Sequence, residues 1–343
     1  MNRRILCLTF CLAYLLSNLT ASADSATPTS LETPKFKIGA LIPLSGNFAS
    51  YGETVRQGIL KANTPAIEWV FEDEGCEPAP AVAAYKKLTT VDQLSFIVGP
   101  CCGSPQTAVA PMLKNRQQIA MLPNAAASSV YESSGRNMYS VQYSLEDDGV
   151  FLANTLNERG LKRVAIVYVD NDFSQAIEKG FLSAYKGSVA IALHPPGFDT
   201  NGMKDAALKL KNLDFDSILV PDASPMMLGF FSELKKIGVA PRPAFSVYAA
   251  QLPELIEVEG RNVDGLFYSY PDVPESVDGI GYFATVAAQQ IGDLVTNCKG
   301  VPECVSKALA ENPRFQPKGV LQGKIILKTI QNGKFVRLDG KQS

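Results

Sequence analysis

Short apolar runs alternate with stretches of helical period along most of the chain. Phe36 to Ile42, Ile67 to Phe71, Ser95 to Val98 and Ile119 to Leu122 are continuous and apolar, as strands covered on both faces should be. Helical stretches separate them, including Tyr51 to Ala62 and Ala79 to Leu88. A second series of strands follows at Arg163 to Val169, Val189 to Leu193, Ser217 to Val220, Ala244 to Val247 and Val263 to Tyr268. It is interleaved with helices such as Asp205 to Leu213 and Met226 to Ile237. A helix from Gly279 to Val295 and two strands, Gly323 to Ile330 and Phe335 to Leu338, complete the pattern. Alternation of this kind predicts an α/β chain of doubly wound parallel sheets, here twice over.

Two such sheets create a cleft by geometry. Ligands of open α/β sheets bind beyond the carboxyl ends of the strands, where helix N-termini present unpaired N–H groups. Three loops directly follow strands and are rich in small and hydroxyl residues: Pro43 to Gly52, Gly99 to Ser104 and Pro123 to Ser129.

The 343 residues are 46% hydrophobic, enough for one large core or two smaller ones. The 32 basic and 34 acidic residues nearly cancel and are interspersed, so neither nucleic acid nor an anionic membrane surface is an expected partner. Arg3 and Arg4, the apolar run Ile5 to Leu16 and the small residues Ala21-Ser22-Ala23 read as an export signal over 1–23, cleaved before Asp24. The run is too short to span a bilayer comfortably, so no membrane insertion is expected. Cys7 and Cys11 lack the preceding small residues that a lipid-attachment cysteine wants. Residues 24–35 are polar and form a flexible leader.

Export changes the reading of the cysteines, because an oxidising compartment favours disulfides over metal thiolates. Cys298 and Cys304 bracket a short turn and can pair locally. Cys76 follows one strand and the vicinal Cys101 and Cys102 follow the next, so Cys76 can pair with either of them. No CxxC or histidine partner has zinc spacing, and no metal site is expected. The single histidine, His194, precedes Pro195-Pro196-Gly197 and reads as a solvated loop residue. With no GxSxG, HExxH, P-loop or dinucleotide fingerprint, no catalytic residue or cofactor is expected, and the chain reads as a binding protein rather than an enzyme.

At the strand ends a family resemblance appears. Lys37 to Gly46 followed by Tyr51-Gly52 resembles the opening of the leucine/isoleucine/valine-binding proteins, the type I periplasmic solute-binding proteins of ABC transporters. Glu72 to Cys76 with Ala81 to Leu88, Ile97 to Pro111 with its cysteines, Arg163 to Tyr168, and Asp264-Gly265-Leu266 agree in order and spacing. The resemblance implies two Rossmann-like lobes, 36–141 plus 272–320 and 144–268 plus 322–343. It places a three-strand hinge near Val141 to Ser144, Tyr268 to Asp272 and Gly319 to Gly323. It also implies a Cys76–Cys102 disulfide that leaves Cys101 free. The helix after Tyr51 departs from the pattern, since Ala62 to Pro65 reaches the next strand without a Gly-rich turn, as a trimmed lobe edge would.

Carried over residue by residue, the resemblance places Tyr51 at the ligand border and Cys102, Gly103 and Ser104 where backbone and hydroxyl groups hold a carboxylate. Asn124, Ala125 and Ala126 form a further wall, with Ala126 replacing a hydroxyl residue of the family. Phe173 stands where a tyrosine is common, and Tyr248-Ala249-Ala250 where amino-acid binders carry an acid for the ammonium group. Those losses argue against a standard α-amino acid, because an unpaired buried cation is costly. An aromatic pocket of Tyr51, Phe173, Tyr248 and Tyr282, with Asp222 and Asn124 as polar anchors, suits an uncharged or carboxylate-bearing, partly apolar molecule. The implied protein is a periplasmic monomer that delivers a small ligand to an ABC transporter permease. A ligand sensor docking on a membrane receptor is the alternative.

Overall fold

The computed structural model describes residues 36–62, 66–196, 200–239, 242–275, 277–315, 317–321 and 323–338. The expected export signal, the leader and residues 63–65 of the trimmed edge lie outside them.

Strands β1 (Phe36–Ile42), β2 (Ile67–Asp73), β3 (Phe96–Val98), β4 (Ile119–Leu122) and β5 (Met138–Ser140) form a parallel sheet in the order β2-β1-β3-β4-β5. The last five residues of β1 are buried, which is why its apolar run has no alternation. Helices α1 (Ala49–Lys61), α2 (Pro78–Lys86), α3 (Gly103–Leu113) and α4 (Ser128–Ser133) make the connections.

The chain then crosses to a second sheet through α5 (Leu145–Glu158), whose start is fixed by a reciprocal cap between Ser144 and Asp147. There follow β6 (Arg163–Val167), α6 (Asp172–Ala184), β7 (Ser188–Leu193), α7 (Thr200–Leu210), β8 (Ser217–Leu219), α8 (Ser224–Met227), α9 (Phe230–Lys236), β9 (Ala244–Ser246), α10 (Pro253–Glu259) and β10 (Leu266–Pro271). After α11 (Gly279–Asn297) and α12 (Pro302–Glu311), β11 (Ile325–Gln331) and β12 (Lys334–Arg337) return to extend this sheet antiparallel. Its order is β12-β11-β10-β9-β8-β6-β7, so its parallel part repeats the winding of the first sheet. Helix α11 packs back on α1, with Thr285 Oγ1 donating to the Gly58 carbonyl at 2.8 Å.

The chain passes three times between the sheets, and the passages are tied together. Ser140 N–H donates to Gly319 O and Leu321 N–H to Ser140 O, both at 2.9 Å, while Asp272 N–H donates to Lys324 O at 2.9 Å. One apolar cluster joins the sheets, including Ile38 and Val98 of the first and Ile166 and Phe245 of the second.

Several expectations change: the helix expected over Asp205 to Leu213 spans Thr200–Leu210, and the strand expected from Gly323 begins at Ile325. The helix over Met226 to Ile237 is broken at Gly229, whose φ of 84° is left-handed and restarts the chain as α9. The strand foreseen from Val263 begins at Leu266, because residues 260–263 form a 3-10 turn. Strand β5 was not foreseen, because Met138-Tyr139-Ser140 is no continuous apolar run.

Candidate functional site

Between the sheets, at the carboxyl ends of their parallel strands, lies a cavity with about 660 Å³ of atom-free space, part of it open to solvent. The strand order reverses between β1 and β3 and again between β6 and β8. Loops leaving these strands diverge to opposite faces and leave a crevice, the usual ligand position of such sheets.

The first wall begins with Tyr51. A Cβ on Gly52 would lie 1.5 Å from the Pro43 carbonyl oxygen, so only glycine lets α1 start against the end of β1. The neighbouring loop is pinned by the Cys76–Cys102 disulfide, with Cys101 free and buried beside it. Behind it, the buried carboxylate of Glu74 accepts the Cys101 N–H at 3.0 and 3.1 Å and the Cys102 N–H at 2.9 Å. Burial pushes this carboxyl up to about 8, and the two N–H donors work against that shift. Next come Gly103 and Ser104, the first residues of α3, whose start receives no side-chain cap. First-turn N–H groups have no acceptor within a helix, so this end offers donors and positive potential to the cavity.

The amide and carboxyl side chains elsewhere on the walls are bonded to the protein itself. Asn124 donates through Nδ2 to the Cys101 carbonyl and accepts from Gln106 Nε2 at 3.1 Å. On the second wall, Asn171 caps α6, accepting Ser174 N–H at 3.0 Å and donating to Val169 O at 2.6 Å. Asp222 accepts Val169 N–H through Oδ2 and Ala223 N–H through Oδ1, each at 2.8 Å. Burial raises this carboxyl to about 7, opposed by those donors together with Ser174 and Asn171. The remaining lining is apolar or aromatic: Phe48, Phe173, Met226, Tyr248, Ala249, Leu252 and Ile280. Phe173 and Tyr248 meet edge to face with centroids 6.0 Å apart. Among the described lining residues there is no lysine, arginine or histidine.

Comparison with known proteins places this arrangement. Residues 35–290 match the family model described as periplasmic binding protein. The chain belongs to the periplasmic binding protein family. A relative in Brucella suis, a Leu/Ile/Val-binding protein homolog, is 24% identical over 207 residues, covering 57% of this chain and 53% of that protein. Matches to the first curated relatives span 30% to 53% of their length. The fold is that of a leucine-binding protein from Thermotoga maritima, with a TM-score of 0.78, 18% identity, and 88% of this chain and 97% of the other covered. It is equally that of a solute-binding protein from Rhodopseudomonas palustris in complex with p-hydroxybenzoic acid, with a TM-score of 0.77, 21% identity, and coverage of 88% and 95%.

Within this periplasmic binding protein, Tyr51, Cys102, Gly103, Ser104, Asn124, Phe173, Asp222 and Tyr248 come together on the cavity wall. Three other expected residues do not. Ala125 and Ala126 are buried behind the wall, and Ala126 pairs with the crossover, its carbonyl accepting Leu145 N–H at 3.1 Å. Tyr282 is 41% exposed and lies off the cavity; the first turn of α11 turns Ile280 inward instead. His194 is an exposed residue outside any helix or strand, as expected; its ring stacks on Tyr168 at 4.3 Å with Nε2 3.4 Å from Glu178, and it too is off the cavity. The disulfides Cys76–Cys102 and Cys298–Cys304 form as expected. Sequence reasoning missed Phe48, Cys76, Cys101, Asn171, Ala223, Met226, Leu252 and Ile280 as lining residues. Inspecting the loops after β6 and β8 as closely as those of the first sheet would have found Asn171, Ala223 and Met226. Leu252 and Ile280 carry no local signal.

Proposed function

We propose that this chain is a periplasmic solute-binding protein that closes lobes 36–141 plus 272–320 and 144–268 plus 322–343 on a small, partly apolar molecule with one polar end. An aromatic carboxylate fits best, and delivery to an ABC transporter permease is the role we assign. The observation that carries the reading is the one-sided polarity of the cavity. The start of α3 is uncapped, whereas Asn124, Asn171 and Asp222 are bonded to the protein itself. A carboxylate at Gly103 and Ser104 would meet N–H donors and the positive helix end, with its ring between Tyr51, Phe173 and Tyr248. The R. palustris protein with p-hydroxybenzoic acid supports this class, though its likeness speaks for the fold.

Thermal-shift and calorimetric titration with benzoate, 4-hydroxybenzoate, benzamide and leucine test the proposal, since a ligand of the folded state raises the melting temperature. The aromatic acids should stabilise the protein and leucine should not. Stabilisation by leucine alone would overturn the ligand class.

A further inference from the structure

Gly103 and Phe173 stand on opposite walls, one opening α3 beside the first sheet and the other in the first turn of α6 beside the second. They touch so closely that a Cβ built on Gly103 would lie 2.9 Å from both the Cβ and the backbone nitrogen of Phe173, and 3.1 Å from its Cα. Real Cβ atoms essentially never approach backbone at that distance, and Phe173 cannot yield by changing rotamer, because the atoms met are main chain and Cβ. Phe173 also packs against Tyr248, the ring pair standing edge to face at 6.0 Å, and Tyr248 is itself buried. The α6 end is held rigid by its Asn171 cap. Gly103 does not have the positive φ that would explain a glycine there on backbone grounds, and an alanine is a better helix former at such a position. What the glycine provides is the absence of a side chain facing α6.

We infer that Gly103 is the seat on which the Phe173–Tyr248 pair docks when the lobes close, so that residue 103 is a positioning residue for closure in addition to offering its N–H to a ligand. The inference rests on the closing-lobe reading above. Gly103→Ala would keep or strengthen α3 while holding the walls apart, so its effects on folding and on closure run in opposite directions. A residue of purely structural importance would move both the same way.

The test uses the full mature chain carrying Gly103→Ala, with Phe173→Ala as a second variant that keeps the backbone contact but removes the ring. Thermal melts, small-angle scattering and hydrogen exchange are recorded without ligand and with 4-hydroxybenzoate, and dissociation of 4-hydroxybenzoate is followed by stopped flow. For Gly103→Ala we expect a melting temperature equal to or above that of the parent without ligand. We also expect a larger radius of gyration with 4-hydroxybenzoate and at least tenfold faster dissociation. Amides of 171–175 should exchange faster while those of 163–167 in β6 stay unchanged. Phe173→Ala should show a smaller expansion. A parent-like radius, dissociation rate and exchange pattern in Gly103→Ala would overturn the inference. If the parent itself fails to bind 4-hydroxybenzoate, the proposed ligand class is wrong, and the same readouts taken with whichever of benzoate, benzamide or leucine stabilises the parent decide the role of Gly103.

Discussion

Asp222 holds the backbone of Val169, its Oδ2 accepting the Val169 N–H at 2.8 Å while Oδ1 takes Ala223 N–H at the same distance. The one carboxylate among the described lining residues is therefore part of the wall's own scaffold and is poorly placed to serve as counter-ion for a ligand ammonium. Leucine, isoleucine and valine should accordingly bind at millimolar strength or worse, because a missing partner for a buried charge costs about 2 to 5 kcal/mol. Calorimetry with the three amino acids checks this, and micromolar affinity for any of them would contradict it. Asp222→Asn would then be the variant to make, with loss of binding identifying the anchor.

Stability should fall as pH rises from about 5 to 8. Burial raises Glu74 to about 8 and Asp148 and Asp222 to about 7, above ordinary values of 4.5 and 3.8. Each group then holds its proton more tightly folded than unfolded, so its contribution is complete below the unfolded value and lost as pH passes through the folded one. The slope is about 1.4 kcal/mol per pH unit for each group within its window. Asp272, held low by Arg337 and Lys324, acts only below that range. Asp148 is fully buried beside the hydroxyls of Ser269 and Tyr143, without well-formed hydrogen bonds to them, so Asp148→Asn should flatten the profile with little structural change. Melting curves from pH 5 to 8.5 provide the check, and a flat or rising profile in the parent would refute it.

Peptide mapping without reduction should recover the Cys76–Cys102 and Cys298–Cys304 links and an unmodified Cys101. Cys102→Ser should lower stability by about 3 to 4 kcal/mol, since the bond closes a loop of sequence separation 26. Cys101→Ser should leave both links intact. Both ends of the first bond line the cavity, so its loss should also weaken ligand binding.

Asn124→Ala should destabilise the first wall by about 1 to 3 kcal/mol, because it strips partners from the buried Cys101 carbonyl and Gln106 amide. Denaturant melts should show that loss before any ligand is added. An effect confined to binding would mean that Asn124 is a direct ligand anchor instead.

The strands and their order of appearance were legible because parallel strands covered on both faces must be written as continuous apolar runs, and Phe36–Ile42 and Ile119–Leu122 match to the residue. The rule that ligands sit beyond strand ends also led to the loops that hold Tyr51 and Gly103, and the family resemblance assigned those two residues and Asp222. Which polar groups remain for a ligand was settled only in three dimensions. Asn124 and Asp222 look like free anchors in the sequence, yet Gln106, Cys101 and Val169 reach them across the fold. The same holds for Tyr282 and Ile280: two residues apart on one helix, they differ by most of a half-turn, and only the packing of α11 decides which faces the cavity. Local pattern records what each segment must bury, whereas pairing between distant segments depends on where the lobes place them, and that information is distributed over the whole chain.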